Sequence, residues 1–267
     1  MNDNEIINKI YDLKGRIAII TGGAGFLGRV YGDALAECRA NVIVADIKEE
    51  NAAKFAKELT DRHKVECIGI GVDLRNKKSV EDMASKAVKK FGKIDILINN
   101  AQAVSANSFP KMEECPKEEW DLEMDVNVGG MFLCCQAVGK HMVKQGKGAI
   151  INVSSTYGLV GPDFKVYGNS GMSSPIAYTA SKSAVIGFTK YLAAYWAGKG
   201  IRVNTLTPAG VFNNQNEDFV KNYAAKIPLG RMMKKEELIG PMLFLASDAS
   251  SFVHGANLIV DGGFTSW

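Results

Sequence analysis

RIAIITGGAGFLGRVYGDALAE, residues 16–37, is the stretch on which the reading of this chain turns. An apolar, β-branched run ends at Thr21 and passes through Gly22, Gly25 and Gly28 into a segment of helical period. Glycine suits such a turn: the backbone can take positive φ, no Cβ blocks an approaching anion, and the N–H groups opening the next helix are free to bind negative charge. Strand, glycine turn and helix in this order predict the pyrophosphate cradle of a dinucleotide-binding α/β unit, with Phe26 and Leu27 between the last two glycines. In a chain with 27 glycines the spacing alone means little, and its place between a strand and a helix gives it weight.

The next strand-like run, NVIVADI, carries Asp46, 21 residues beyond Gly25. An acid at that distance is placed to hydrogen-bond the adenosine ribose hydroxyls, or else to cap the IKEE segment that follows. Facing the ribose, its carboxylate would repel a 2′-phosphate by about 4 kcal/mol at 4 Å and an effective dielectric of 20. NAD is therefore expected over NADP.

Working outward, seven short runs read as strands: RIAIIT, NVIVADI, VECIGIGV, IDILINN, GAIINVSS, IRVNTLTP and NLIVDGG. Several are apolar at consecutive positions, as strands buried on both faces are. They alternate with amphipathic stretches such as EENAAKFAKELTDRH and KKSVEDMASKAVKKFG. The expected fold is α/β, a Rossmann-type doubly wound, seven-stranded parallel sheet with helices on both faces. No linker or low-complexity tract divides the chain, so residues 1–267 are expected to form a single domain. The first dozen residues suggest one helical turn carrying Ile6, Ile7 and Ile10.

Composition narrows the function classes. A net charge of +3 spread in step along 267 residues offers no basic block for nucleic acid or membrane. Five cysteines with no C-x-x-C spacing read as free thiols, and the three scattered histidines have no metal-site spacing, so no metal is expected. No apolar run approaches a membrane span and no leader pattern opens the chain, which predicts a cytoplasmic protein.

TGGAGFLG, Asp46, GVDL with Asp73, NNA (Asn99, Asn100, Ala101), Asn127 in MDVNVGG, INVSS, YTASK, RVNTLTPAG and VDGG occur in this order, and together they resemble the short-chain dehydrogenase/reductase family. The resemblance runs from about Leu13 to the C-terminus. It implies that Asp73 and Leu74 line the adenine, that Asn100 and Ala101 pass along the adenosine ribose, and that Pro208 borders the cofactor.

Y-x-x-x-K occurs twice, as Tyr178/Lys182 and Tyr195/Lys199. Both pairs are expected on the long helix after Pro175, but Tyr195 would lie about 25 Å further along and about 260° around the axis. The start of that helix lies nearer the carboxyl ends of the strands, so Tyr178 and Lys182 are the expected pair, and Tyr195 is expected to pack. Hydride exchange at a carbinol carbon needs a proton acceptor, and a tyrosine of pKa near 10 needs about 4 kcal/mol of help, the size of one ammonium about 4 Å away. Lys182, one turn on, is expected to supply that charge and to hold the nicotinamide ribose. Ser155 is expected to bind the reacting oxygen, with strand-end capping the alternative for it and Ser154. The resemblance implies that Asn127 holds a relay water on Lys182; a polar break in an apolar helix is the other reading.

Three departures stand out. T-G-x-x-G-x-x-G, with Phe26 where this branch has glycine, is closer to epimerase and dehydratase members. Gln102 and Ala209 replace glycines near the substrate side. The interval from Ser155 to Tyr178, 23 residues, is longer than the family's and implies an inserted loop near 159–174 beside the pocket. A lid is implied near 209–230, where Asn213, Asn214, Gln215 and Asn216 offer amides suited to a polyhydroxylated ligand, as does Gln102, with a helix N-terminus carrying spare Asn residues the alternative for the four. The loop's P-x-F and Met-x-x-P, with PAGVFNNQ, resemble a bacterial subgroup linked to flagellin modification and sialic-acid-like sugars.

The function implied is NAD-dependent interconversion of a hydroxyl and a keto group on a sugar, nucleotide sugar or sugar acid. An NAD-retaining epimerase or dehydratase and a non-catalytic NAD-binding subunit are the alternatives. The resemblance also implies a homotetramer or homodimer built on the helices of Asn127 and Tyr178, with Phe264 and Trp267 reaching a neighbour.

Overall fold

The computed structural model describes residues 9–103 and 111–267, so Ile6 and Ile7 of the expected first turn lie outside the described residues. Strands β1 (Ile17–Thr21), β2 (Asn41–Asp46), β3 (Ile68–Gly71), β4 (Ile96–Asn99), β5 (Gly148–Val153), β6 (Ile201–Pro208) and β7 (Asn257–Val260) form one sheet. Every pairing is parallel and the order is β3-β2-β1-β4-β5-β6-β7. All seven expected strands are present, with shorter ends. β3 begins late because the backbone N–H groups of Glu66 and Cys67 donate to the side chains of Asn41 and Thr60 instead of a ladder partner. β7 stops at Val260, just before Gly262 and Gly263 turn at φ +63° and +91°.

Helices α1 (Phe26–Glu37), α2 (Glu49–His63), α3 (Lys77–Phe91), α4 (Lys117–Met124), α5 (Met131–Gln145), α6 (Ile176–Tyr195), α7 (Glu217–Ala224) and α8 (Ile239–Ala246) connect the strands or cover them. The sheet's period of two divides its side chains between two cores. Ala18, Ile20, Val42 and Val44 pack with α1, α2 and α8 on one face. Ile17, Ile19, Ile43 and Ala45 pack with α3, α5 and α6 on the other. Burial on both faces explains the consecutive apolar residues.

From β1 the chain winds outward through β2 and β3, then returns to the other side of β1 at β4. That reversal opens a crevice at the carboxyl ends of β1 and β4, where ligands bind in such sheets. Two elements were not foreseen. Asp125–Gly130 is π-helical and joins α4 to α5, a local form often found at functional sites. A third apolar cluster, Tyr157, Val166, Tyr167, Phe219, Tyr223, Ile227 and Met232, gathers segments that follow β5 and β6. Among the described residues no helix is long and apolar enough to cross a membrane.

Candidate active site

A cavity of about 700 Å³ lies at the carboxyl ends of the strands. Its lining includes Gly22, Gly25, Phe26, Leu27, Asp46, Asp73, Leu74, Asn100, Ala101, Gln102, Ser155, Tyr178, Pro208 and Asn213. Asn127 and Lys182 sit in a small void that also borders Thr21, Leu74 and Ala101. Gly28 and Asn214 line neither space.

Of the three turn glycines only Gly22 has positive φ, +59°, and a Cβ there would lie 2.8 Å from Ala101 Cα. Gly25 has φ −76° and precedes α1 with no side-chain cap, and no acidic residue stands in the first turn. The positive φ expected there is absent; what Gly25 provides is an open helix N-terminus facing the cavity. Gly28 serves packing: a Cβ on it would meet the Gly22 carbonyl oxygen at 2.2 Å. An uncapped helix start with no acidic residue in its first turn and a glycine cradle fit a pyrophosphate.

Asp46 ends β2 on the cavity wall, and its Oδ2 accepts the Ala24 N–H at 3.1 Å while Oδ1 accepts from Lys48 N at 3.2 Å. The residue preceding α2 is Lys48, so Asp46 is not that helix's cap. Asp73 accepts from Arg75 Nε at 3.1 Å and Nη2 at 2.8 Å, and these bonds hold its carboxyl below the usual range. Asn100 and Ala101, implied to pass along the ribose, both line the cavity, and the Asn100 Nδ2 donates to the carbonyls of Thr21 and Gly22 at 3.0 and 3.2 Å. It braces the turn from the next strand of the sheet.

The two serines after β5 separate clearly. Ser154 Oγ donates to the Lys182 carbonyl at 2.7 Å, and a Cβ on Gly158 would press on both at 2.7 Å, so this is a close contact of backbone and side chain. Ser155, 9% exposed, lines the cavity near Tyr178, and its Oγ also accepts from Tyr157 N at 3.2 Å, capping the short turn Thr156–Gly158, so the capping alternative holds for it as well. Lys182 lies under Tyr178, Nζ 5.5 Å from its ring centroid, and donates to the Val153 carbonyl at 3.1 Å. The expected charge support for Tyr178 is not what dominates: burial raises the phenol above 10, opposed by the neighbouring Ser155 hydroxyl. Burial also pushes the Lys182 ammonium down to about 8. Both changes favour the neutral forms. Asn127, in the π-helical stretch, accepts from Ala103 N at 2.8 Å through Oδ1 and donates from Nδ2 to Ser181 Oγ at 3.3 Å.

The second Y-x-x-x-K is no site. Tyr195 ends α6 and Lys199 lies beyond it, and Tyr195 is 65% exposed instead of packed in a core.

The family model described as enoyl-(acyl carrier protein) reductase matches residues 25–265. A D-threitol dehydrogenase of Mycolicibacterium smegmatis is 36% identical over 263 residues, covering 96% of this chain and 95% of that one. A 3-oxoacyl-[acyl-carrier-protein] reductase of Thermotoga maritima is 37% identical over 256 residues (94% and 98%). An NAD-dependent glycerol dehydrogenase of Listeria innocua is 32% identical over 263 residues (97% and 97%). Among solved structures, a short-chain type dehydrogenase/reductase from Mycobacterium marinum superposes with a TM-score of 0.85 at 34% identity, covering 96% and 97%. A gluconate 5-dehydrogenase from Burkholderia cenocepacia, in complex with NADP and tartrate, gives 0.87 at 32%, covering 98% and 99%. The chain belongs to the short-chain dehydrogenase/reductase family. It is an NAD(P)-dependent oxidoreductase acting on a CH–OH group.

In this dehydrogenase the cavity is also lined by residues that the sequence did not single out: Tyr157, Tyr167, Phe219 and Tyr223. Tyr223 accepts the Gly210 N–H at 2.8 Å, and its ring stacks on Phe264 at 5.2 Å between centroids. Phe264, expected to reach a neighbouring subunit, packs within its own chain. In the lid, Asn216 caps α7 by accepting from Asp218 N at 2.9 Å, and Asn214 makes an exposed left-handed turn at φ +56°. Asn213 and Gln215 are the amides that border the cavity. An aromatic periodicity in GPDFKVYGNSGMSS and NEDFVKNYA was the available signal for the rings, hidden because the two segments meet only in space.

Proposed function

We propose that the protein uses NAD⁺ to oxidise a secondary hydroxyl of a small polyhydroxylated substrate, a polyol, sugar or sugar acid, or reduces the corresponding ketone. The placement of Ser155 and Tyr178 beside the cavity, with Lys182 beneath the Tyr178 ring, carries the reading. A bound nicotinamide dinucleotide supplies hydride acceptance and donation. Gly22 and the start of α1 hold its pyrophosphate, and Asp46 its adenosine ribose. Ser155 orients the substrate oxygen toward Tyr178. Tyr178 takes the hydroxyl proton in oxidation and returns it in reduction. In the unliganded protein burial keeps that phenol protonated, the form required to donate to a ketone oxygen. Asn127 fixes the strand-end segment at Ala103 beside the lysine.

Relatives that act on threitol, glycerol and gluconate support a polar substrate, and Gln102, Asn213 and Gln215 on the cavity wall agree with it. For NAD, Asp46 is the deciding residue: it is followed by Ile47, also on the wall, and a 2′-phosphate beside the carboxylate would be repelled by about 4 kcal/mol. The test is a panel of polyols, sugars and sugar acids with NAD⁺ and NADP⁺, followed by absorbance at 340 nm. Reduction of NAD⁺ by a polyhydroxylated substrate is expected, and Tyr178→Phe should remove at least 10³-fold of kcat, on the order of a lost general acid/base, with NAD Kd unchanged. Turnover retained in that variant would overturn the assignment.

A further inference from the structure

We propose that Tyr167 is a specificity-determining residue, whose hydroxyl donates to a second hydroxyl of the substrate, next to the carbon that exchanges hydride. The proposal rests on the polyhydroxylated-substrate reading above.

The long interval between Ser155 and Tyr178 folds into a short 3-10 turn, Phe164–Tyr167, that presents Tyr167 to the same cavity as the two residues flanking the interval. The turn is held at its start. Asp163 caps it by accepting from Lys165 N at 3.0 Å and pairs with Lys226 Nζ at 2.6 Å, just past α7. Val166 is 1% exposed and Tyr167 8%. The Tyr167 ring stacks on Phe219 of α7, centroids 5.5 Å apart and planes 22° from parallel. Loop and lid therefore fix one ring between them, as a selective contact requires.

Packing accounts for the ring and leaves the hydroxyl to be explained, since phenylalanine would stack as well. Burial keeps that hydroxyl protonated, with the Tyr157 and Ser174 side chains close by favouring the phenolate, and Ser174 Oγ itself donates to the Pro175 carbonyl at 3.5 Å. The protonated hydroxyl, on a ring that lines the cavity, has its proton to donate. The neighbouring phenols are less suited. Tyr223 is engaged by Gly210 N, and the Tyr157 hydroxyl is sealed from solvent. A substrate with its reacting oxygen at Ser155 and Tyr178 thus meets aromatic faces on its C–H bonds and one directed donor. A polyol satisfies that donor; an acyl chain leaves it unmet.

An enzyme–substrate cycle tests this. The best polyol from the panel and its deoxy analogue, lacking the hydroxyl next to the reacting carbinol, are compared in the wild type and in Tyr167→Phe. The wild type is expected to prefer the polyol by about fivefold to tenfold in kcat/KM, the size of one hydrogen bond. Tyr167→Phe should lose most of that preference, with thermal midpoint and NAD Kd unchanged. Ser174→Ala, which removes a hydroxyl beside the phenol without removing the phenol, should lose part of it and serves if the first variant folds poorly. An equal preference in wild type and both variants, or an equal loss on both substrates, overturns the proposal. If no polyhydroxylated compound is oxidised by the wild type, the functional reading fails first and takes this inference with it.

Discussion

Lys182 is 3% exposed, and its surroundings are a carbonyl and an aromatic face, so its charge is held at a cost. Burial lowers the ammonium from 10.5 to about 8, worth about 3 kcal/mol against the folded state wherever the unfolded lysine is charged. Below pH 8 both states bind the proton and the full cost stands. Between 8 and 10.5 only the unfolded chain keeps it, so wild-type stability rises with pH through that window. Lys182→Met should accordingly stabilise the protein by about 2 kcal/mol at pH 7, after about 1 kcal/mol for the donor lost to Val153. The gain should vanish near pH 10, where the remaining burial cost equals the lost donor, while turnover is lost at every pH. Denaturant midpoints at pH 7 and 10 measure this, and equal midpoints for wild type and variant at pH 7 would contradict it. At this scale Tyr178, Lys182, Ser155 and Asp46 were legible because each sits in a short local motif. The direction of the Tyr178 shift was not, since a four-residue spacing reports the lysine's proximity and says nothing of the burial around both groups. Tyr167 escaped for a related reason: its partner Phe219 lies 52 positions away.

Among the elements, the β1–turn–α1 unit depends on how closely the helix start approaches the turn. A Cβ at Gly28 would overlap the Gly22 carbonyl, and the backbone of Gly23 lies 2.7 Å away, so no side-chain rotation relieves it. Gly28→Ala should push α1 off the cradle, lower the thermal midpoint and weaken NAD binding by about fivefold or more, as about 1–3 kcal/mol of overpacking implies. Calorimetric titration with NAD reads the second effect, and an unchanged Kd would show that the cradle tolerates the shift. The glycine spacing was legible, but its assignment was only partly so: one glycine supplies the positive φ, one opens the helix and one admits the turn. Strand positions were legible from their apolar runs, whereas the late start of β3 depends on side chains from α2 and β2. The π-helical stretch at Asn127 has no local signature in MDVNVGG. The loop before α6 was visible as an excess of residues, and its role as a wall packed on α7 was not.

For the whole molecule, the outer faces of α5 and α6 leave aromatic surface uncovered. Phe132 is 45% exposed, Tyr191 62% and Tyr195 65%. Phe188, Tyr191 and Tyr195 stack in succession at 6.3 and 5.9 Å, with Phe132 6.1 Å from Phe188. Rings aligned this way gain from each other and still expose their other faces, which soluble monomers rarely leave contiguous. The same two helices are those on which the sequence placed subunit contact, so this ladder is proposed as the self-association face of a dimer or tetramer. It also accounts for the second Y-x-x-x-K, whose tyrosine serves surface stacking instead of chemistry. Tyr191→Glu places a charge in the middle of the ladder, where a second copy would have to desolvate it at a cost of several kcal/mol. Light scattering should then show the wild type as a dimer or larger and the variant shifted to a smaller species, with NAD still bound by each chain, because the ladder does not line the cavity. A monomeric wild type, or a variant of unchanged mass, would remove this face from the assembly.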